Sequence, residues 1–134
     1  MDAGTRQRLA GLRLLVVEDN FLNQQVACEL LRAEGAQVEV ASDGAEGLAR
    51  VLEGGVFDGV LMDMQMPVMD GYEATRRLRA HGYTTLPILA LTAHVLETEK
   101  DTCRAAGVDD FIAKPIEFEE LIGTVARYCP LPPP

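Results

Sequence analysis

Apolar and polar residues follow two alternating rhythms along this chain. The runs Leu12 to Val17, Val56 to Met62 and Ile88 to Leu91 are almost continuously apolar. Such runs suit strands of a sheet covered on both faces. Gln37-Val38-Glu39-Val40 instead alternates polar with apolar, the pattern of a strand with one exposed side, and its shortness suits a sheet edge. Asp110 to Ala113 supplies a fifth strand.

The segments between these runs carry helical spacing. Leu22, Val26, Leu30 and Ala33 predict one apolar stripe, closed by Gly35, whose missing Cβ suits a left-handed position at a helix end. Asp43 with Glu46, and Asp70 with Glu73, are spaced like capping boxes ahead of two further helices, with stops at Gly54-Gly55 and Gly82. Phe118, Leu121, Ile122 and Val125 predict a last helix packed on the sheet. The stretch Val95 to Arg104 is the most polar helix candidate and predicts loose packing. Five strand–helix units in sequence predict an α/β fold, a doubly wound (βα)5 three-layer sandwich of flavodoxin-like type with parallel sheet order 2-1-3-4-5. Residues 1–10 are unpatterned and residues 129–134 hold four of the seven prolines. The expected layout is therefore a linker at 1–10, one domain at 11–128, and a Pro-rich tail at 129–134.

Charge narrows the partners. A formal net charge of -9 and a pI of about 4.6 disfavour direct contact with nucleic acid or anionic membranes, which reward basic patches. No apolar run approaches the ~20 residues that span a bilayer, and the start lacks a basic-then-apolar signal pattern, so a cytoplasmic location is expected. Cys28, Cys103 and Cys129 are an odd set without a C-x-x-C pair, which suggests neither disulfides nor a zinc site.

In a parallel sheet all strand C-termini share one edge, and ligands bind there where the strand order reverses. The first strand runs into Glu18-Asp19, the third into Asp63, the fourth into Thr92 and the fifth into Lys114. Three crowded carboxylates repel one another by about 1 kcal/mol per pair in water and more at lower dielectric. Lys114 can offset one charge, and the remaining two match Mg²⁺, which takes a few carboxylate oxygens, waters and a phosphate oxygen. The set reads as a phosphoryl site with Asp63 as in-line nucleophile, Thr92 as hydrogen-bond donor and Lys114 as counter-charge. Singly, each residue has a plainer role as cap, turn or surface group. Together, in order along one edge, they point to chemistry.

Leu15-Val16-Val17-Glu18-Asp19-Asn20, the run Leu61 to Gly71 around Asp63, Leu91-Thr92-Ala93 and Phe111-Ile112-Ala113-Lys114-Pro115 resemble the receiver domains of two-component response regulators. The resemblance covers about Leu12 to Tyr128. It implies that Glu18 and Asp19 form the acidic metal pair for Mg²⁺, with Mn²⁺ able to substitute, and that the backbone carbonyl of Gln65 completes the shell around Asp63. It further implies that Asp63 is the phosphoacceptor, Thr92 and Phe111 the switch pair, Lys114 the phosphate contact, and Lys114-Pro115 a cis bond. The partner implied is a histidine kinase or a histidine phosphotransfer protein. Asn20, Asn23 and Gln24, with the Asp63 to Gly71 run, look most like receivers attached to hybrid sensor kinases, which would put a kinase core on the same polypeptide. Gln65 and His94, each two residues beyond a site residue, are expected to tune phosphate lifetime.

Three other functions compete. A haloacid-dehalogenase-like phosphatase needs a second acidic residue two positions after its nucleophile, where this chain has Gln65. A flavodoxin-like cofactor binder needs a cradle of backbone amides, where this chain offers Glu18-Asp19-Asn20-Phe21. A receiver-shaped module that is never phosphorylated would not need the intact acceptor set. His81 and His94 lack a kinase-like helix context and read as surface residues. Met62, Met64, Met66 and Met69 read as packing, since thioether suits soft metals and this site is rich in oxygen.

Overall fold

The computed structural model describes residues 8–66, 68–93 and 97–129. Strands β1 (Arg13–Val17), β2 (Gln37–Ala41), β3 (Gly59–Asp63), β4 (Ile88–Thr92) and β5 (Asp110–Ala113) alternate with helices α1 (Phe21–Ala33), α2 (Gly44–Leu52), α3 (Gly71–Ala80), α4 (Glu97–Ala106) and α5 (Phe118–Tyr128). All four strand pairings are parallel and the order is β2-β1-β3-β4-β5, as the pattern predicted. One core layer joins Leu14, Val16, Leu61, Leu89, Leu91 and Ile112 to α1 and α5; the other joins Leu15, Val17, Val60, Met62, Ile88 and Ala90 to α2, α3 and α4.

The helix starts obey the capping expectation in part. Asp43 and Asp70 each accept from the backbone N–H three residues on. The reciprocal arms go elsewhere: Glu46 accepts from the Ser42 N–H, and Glu73 pairs with Arg76 and Arg77. Gly35, Gly54 and Gly82 all sit at positive φ at helix ends.

Several boundaries differ from expectation. The predicted α1 stripe is a step out of register: Gln24, Ala27, Cys28 and Leu31 are buried, whereas Leu22 and Ala33 are exposed. Gln24 is buried and its side-chain amide donates to the Glu18 carbonyl, so a polar residue occupies this inward position of α1. The strand predicted from Val56 begins at Gly59; Val56 is 72% exposed, and Asp58 uses its carboxylate to accept from the Arg13 N–H. Leu9 is fully buried and donates its N–H to the Glu34 carbonyl, so the packed unit includes part of the stretch expected to be linker. Cys129, expected in the tail, is fully buried against Gly59. The candidate helix at 95–104 appears as α4 from Glu97, Val95 lying outside the described residues, and it buries Cys103 and Ala106.

Candidate functional site

The last residues of β1 and β3 deliver the chemistry. Val17 pairs with Met62 across the two strands, so Glu18 and Asp63, each one residue further on, emerge side by side. Both are about 1% exposed, while Asp19 faces solvent. One carboxylate oxygen from each of Glu18, Asp19 and Asp63 lies within 4.8 Å of the others. β4 ends on buried Thr92, and its neighbour β5 leads into Lys114 after Ala113 pairs with Thr92. The Lys114 ammonium lies 2.9 Å from Glu18 Oε1 and 3.1 Å from Asp63 Oδ2. The Lys114-Pro115 bond is cis, as the resemblance implied.

Backbone and side-chain contacts fix these groups. Gln24 Nε2 donates to the Glu18 carbonyl at 2.5 Å, and the Asn20 N–H donates to Glu18 Oε2 at 3.0 Å. Asn20 also caps α1 by accepting from the Asn23 N–H. The Gln65 N–H donates to Asp63 Oδ1 at 3.0 Å, which orients the carboxylate and turns the loop. Gly71 packs so closely under the loop that a Cβ there would collide with the Asp63 carbonyl oxygen. Val68 carries φ +70 and is 88% exposed, a strained conformation for a β-branched residue beside the cleft. The roles of Gln24 and Gly71 escaped the sequence reading. A polar residue inside a helix's apolar register was the available signal for Gln24.

Crowding shows in the electrostatics. Burial, with the neighbouring Asp63 carboxylate, pushes the Glu18 carboxyl up to about 7, against the pull of the Asn20 N–H and Lys114. Burial alone would lower Lys114, but Glu18 and Asp63 outweigh it and raise the ammonium above its ordinary range. Lys114 therefore stays charged, and one ammonium serves two buried carboxylates. Glu18 Oε1 is buried and, apart from its ion pair with Lys114, has no aligned hydrogen bond among the described residues. An all-oxygen, carboxylate-rich set with an under-satisfied inward oxygen fits a hard divalent cation of the Mg²⁺ type.

Phe111 is half-buried at the start of β5, and Gln65 is exposed at the rim. His94 lies outside the described residues. His81 caps α3 at the surface, its Nδ1 2.8 Å from the Arg77 carbonyl, and Met62, Met64 and Met66 are packed in the core. Cys28, Cys103 and Cys129 are free and buried.

Residues 14–126 match the model of the response regulator receiver domain. The chain belongs to that family. This receiver domain is 43% identical to the two-component response regulator ORR41 of Oryza sativa subsp. japonica, over 87% of this chain and 94% of that protein. It shares 40% identity and a TM-score of 0.80 with the receiver domain of sensor histidine kinase PA1611 from Pseudomonas aeruginosa PAO1, solved with magnesium coordinated in the active-site cleft, covering 90% and 98% of the two chains. It also matches a Saccharomyces cerevisiae co-crystal structure of the histidine phosphotransfer protein Ypd1 with the receiver domain of its downstream response regulator Ssk1, at 27% identity and a TM-score of 0.82, covering 88% of each chain. The receiver spans 12–14% of the length of the plant histidine kinases it also matches. As a receiver domain it is a component of two-component phosphorelay signalling. Among the described residues, no helix is long and apolar enough to cross a membrane.

Proposed function

We propose that Asp63 accepts a phosphoryl group from a phosphohistidine on a histidine kinase or a histidine phosphotransfer protein, in the cytoplasm. The observation that carries this reading is the convergence of Glu18, Asp19 and Asp63 on one sheet edge with Lys114 among them. An Asp63 oxygen forms the new O–P bond as the P–N bond to imidazole breaks, and the departing ring nitrogen keeps that electron pair. Lys114 and the Thr92 hydroxyl meet the oxygens of the group as it arrives. Glu18, Asp19, Asp63 and the Gln65 carbonyl would hold Mg²⁺, or Mn²⁺ in its place, which neutralises charge on the transferring group. The domain is an acceptor without turnover of an independent substrate. The net charge of -9 disfavours nucleic acid, and a kinase core on the same polypeptide accords with the 14% of a plant histidine kinase that the receiver spans.

The face of α1 supports a protein donor. Phe21 and Leu22 stand 72% and 69% exposed one turn from Asp19, an apolar contact surface beside the cleft. Once Asp63 is phosphorylated, Thr92 moves toward the group and Phe111 turns into the space released, changing the surface of α4, β5 and α5. Gln65 and His94 then set how water reaches the acyl phosphate.

Incubation with acetyl phosphate and Mg²⁺, followed by intact mass measurement, tests the assignment. The wild type gains one phosphoryl group, chelation abolishes the gain, and Asp63→Asn shows none. Equal labelling of Asp63→Asn would overturn the choice of acceptor.

A further inference from the structure

Phe111 lacks the hydroxyl by which a tyrosine at this position could be fixed by a hydrogen bond, so its pose must be set by something other than hydrogen bonding. α4 supplies it. The Arg104 guanidinium carbon lies 5.2 Å and the Lys100 ammonium 5.9 Å from the centre of the Phe111 ring, both within the range of attraction between a cation and an aromatic face. Lys100 and Arg104 are four residues apart, one helical turn, so a single face of α4 presents both charges to one ring. The ring is half-buried and lines a groove of about 360 Å³ together with Lys100, Ala113, Thr124 and Arg127.

We propose that Lys100 and Arg104 are positioning residues that hold Phe111 in its groove-facing pose, and so set how much of the receiver is switched without phosphate. This rests on the reading of Phe111 as the mobile partner of Thr92. The ring already packs against the α2–α4 layer, and turning it further inward toward Thr92 would break both cation contacts. The resting equilibrium is therefore biased by charges on α4, in a place where the sequence alone offered no anchor. A partner with carboxylates placed to draw off these two cations would favour the inward ring, and phosphorylation would do the same from the opposite side.

The decisive measurement is the NMR signal of the Phe111 ring, with labelled phenylalanine, in the free protein and with beryllofluoride, an acyl-phosphate mimic. Lys100→Gln with Arg104→Gln removes both charges but keeps long, helix-tolerant side chains. In the unmodified double variant the signal should move part-way toward its beryllofluoride position. The switched population should rise about five- to thirtyfold, from two exposed cation–ring contacts. Lys100→Arg with Arg104→Lys should return the signal to the wild-type value, and thermal unfolding confirms that each variant is folded. If beryllofluoride moves the wild-type ring but the double variant leaves the free signal where it was, the clamp is wrong and the switch reading stands. A wild-type ring that beryllofluoride does not move overturns both.

Discussion

Glu18 is the residue on which the resting site turns. Its carboxyl is pushed up to about 7 from an ordinary value near 4.5, so between those limits the folded protein holds a proton that the unfolded chain has lost. Stability then falls as pH rises through that window, because deprotonation leaves two buried carboxylates facing one ammonium. Lys114, raised rather than lowered, does not titrate there. The expected loss in metal-free protein is on the order of 3 kcal/mol between about pH 4.5 and 7.5. Saturating Mg²⁺ should remove most of it, since the cation competes with the proton for the same oxygens. Thermal midpoints in chelator and in Mg²⁺ across this range check the sign; a metal-free midpoint that rises with pH would contradict the assignment. Gly71 makes a second prediction at this scale. Gly71→Ala puts a methyl group into the Asp63 carbonyl, and should cost about 1–3 kcal/mol by urea unfolding and, with Asp63 as the proposed acceptor, slow phosphorylation by displacing it.

At the level of elements, legibility followed burial. Strands β1, β3 and β4 were readable because covered strands must be apolar throughout, and β2 because an edge strand alternates. The five acidic, hydroxyl and ammonium positions Glu18, Asp19, Asp63, Thr92 and Lys114 were readable for a related reason, since parallel strands bring all their C-terminal ends to one edge. α1 was misread because Phe21 and Leu22 are apolar yet exposed, while buried Gln24 is polar and ties down Glu18. Periodicity assumes that apolar residues serve the core, and here some of them face outward beside the cleft. Phe21→Ser with Leu22→Ser should therefore change unfolding free energy by no more than about 0.5 kcal/mol, as surface changes do. Transfer from a phosphorylated phosphotransfer protein should slow at least tenfold, while labelling by acetyl phosphate, which needs no protein contact, stays as before. Equal slowing with both donors would place the defect in the site rather than in docking.

Across the whole molecule, the two core layers are closed by features that no periodic pattern announces. Leu9 fills the α1–α5 layer, and Arg8 ties Glu34 to Glu119 while its guanidinium lies 5.5 Å from the centre of the Phe118 ring. Unpatterned flanks looked like linker because two residues are too few to show a period. Leu9→Ala should lower stability by about 2–5 kcal/mol in urea unfolding, as expected for emptying a fully buried site. The exposed edge is guarded by charge instead: Glu39 of β2 pairs with both Arg13 and Arg50, which discourages pairing with another strand.

The three cysteines sit in three different parts of this architecture, Cys28 in α1, Cys103 in α4 and Cys129 at the end of α5, each buried and each with its thiol pushed up by burial, Cys129 to about 12. An alkylating reagent reacts with exposed thiolate, so none can be modified until its own neighbourhood opens. The chain thus carries three chemical clocks without any engineering. Cys103, on the polar helix α4, should be alkylated first, and Cys129, wedged against Gly59, last. With beryllofluoride bound, the Cys103 clock should change its rate while the other two keep time, and mass spectrometry of the alkylated peptides would read all three in one experiment.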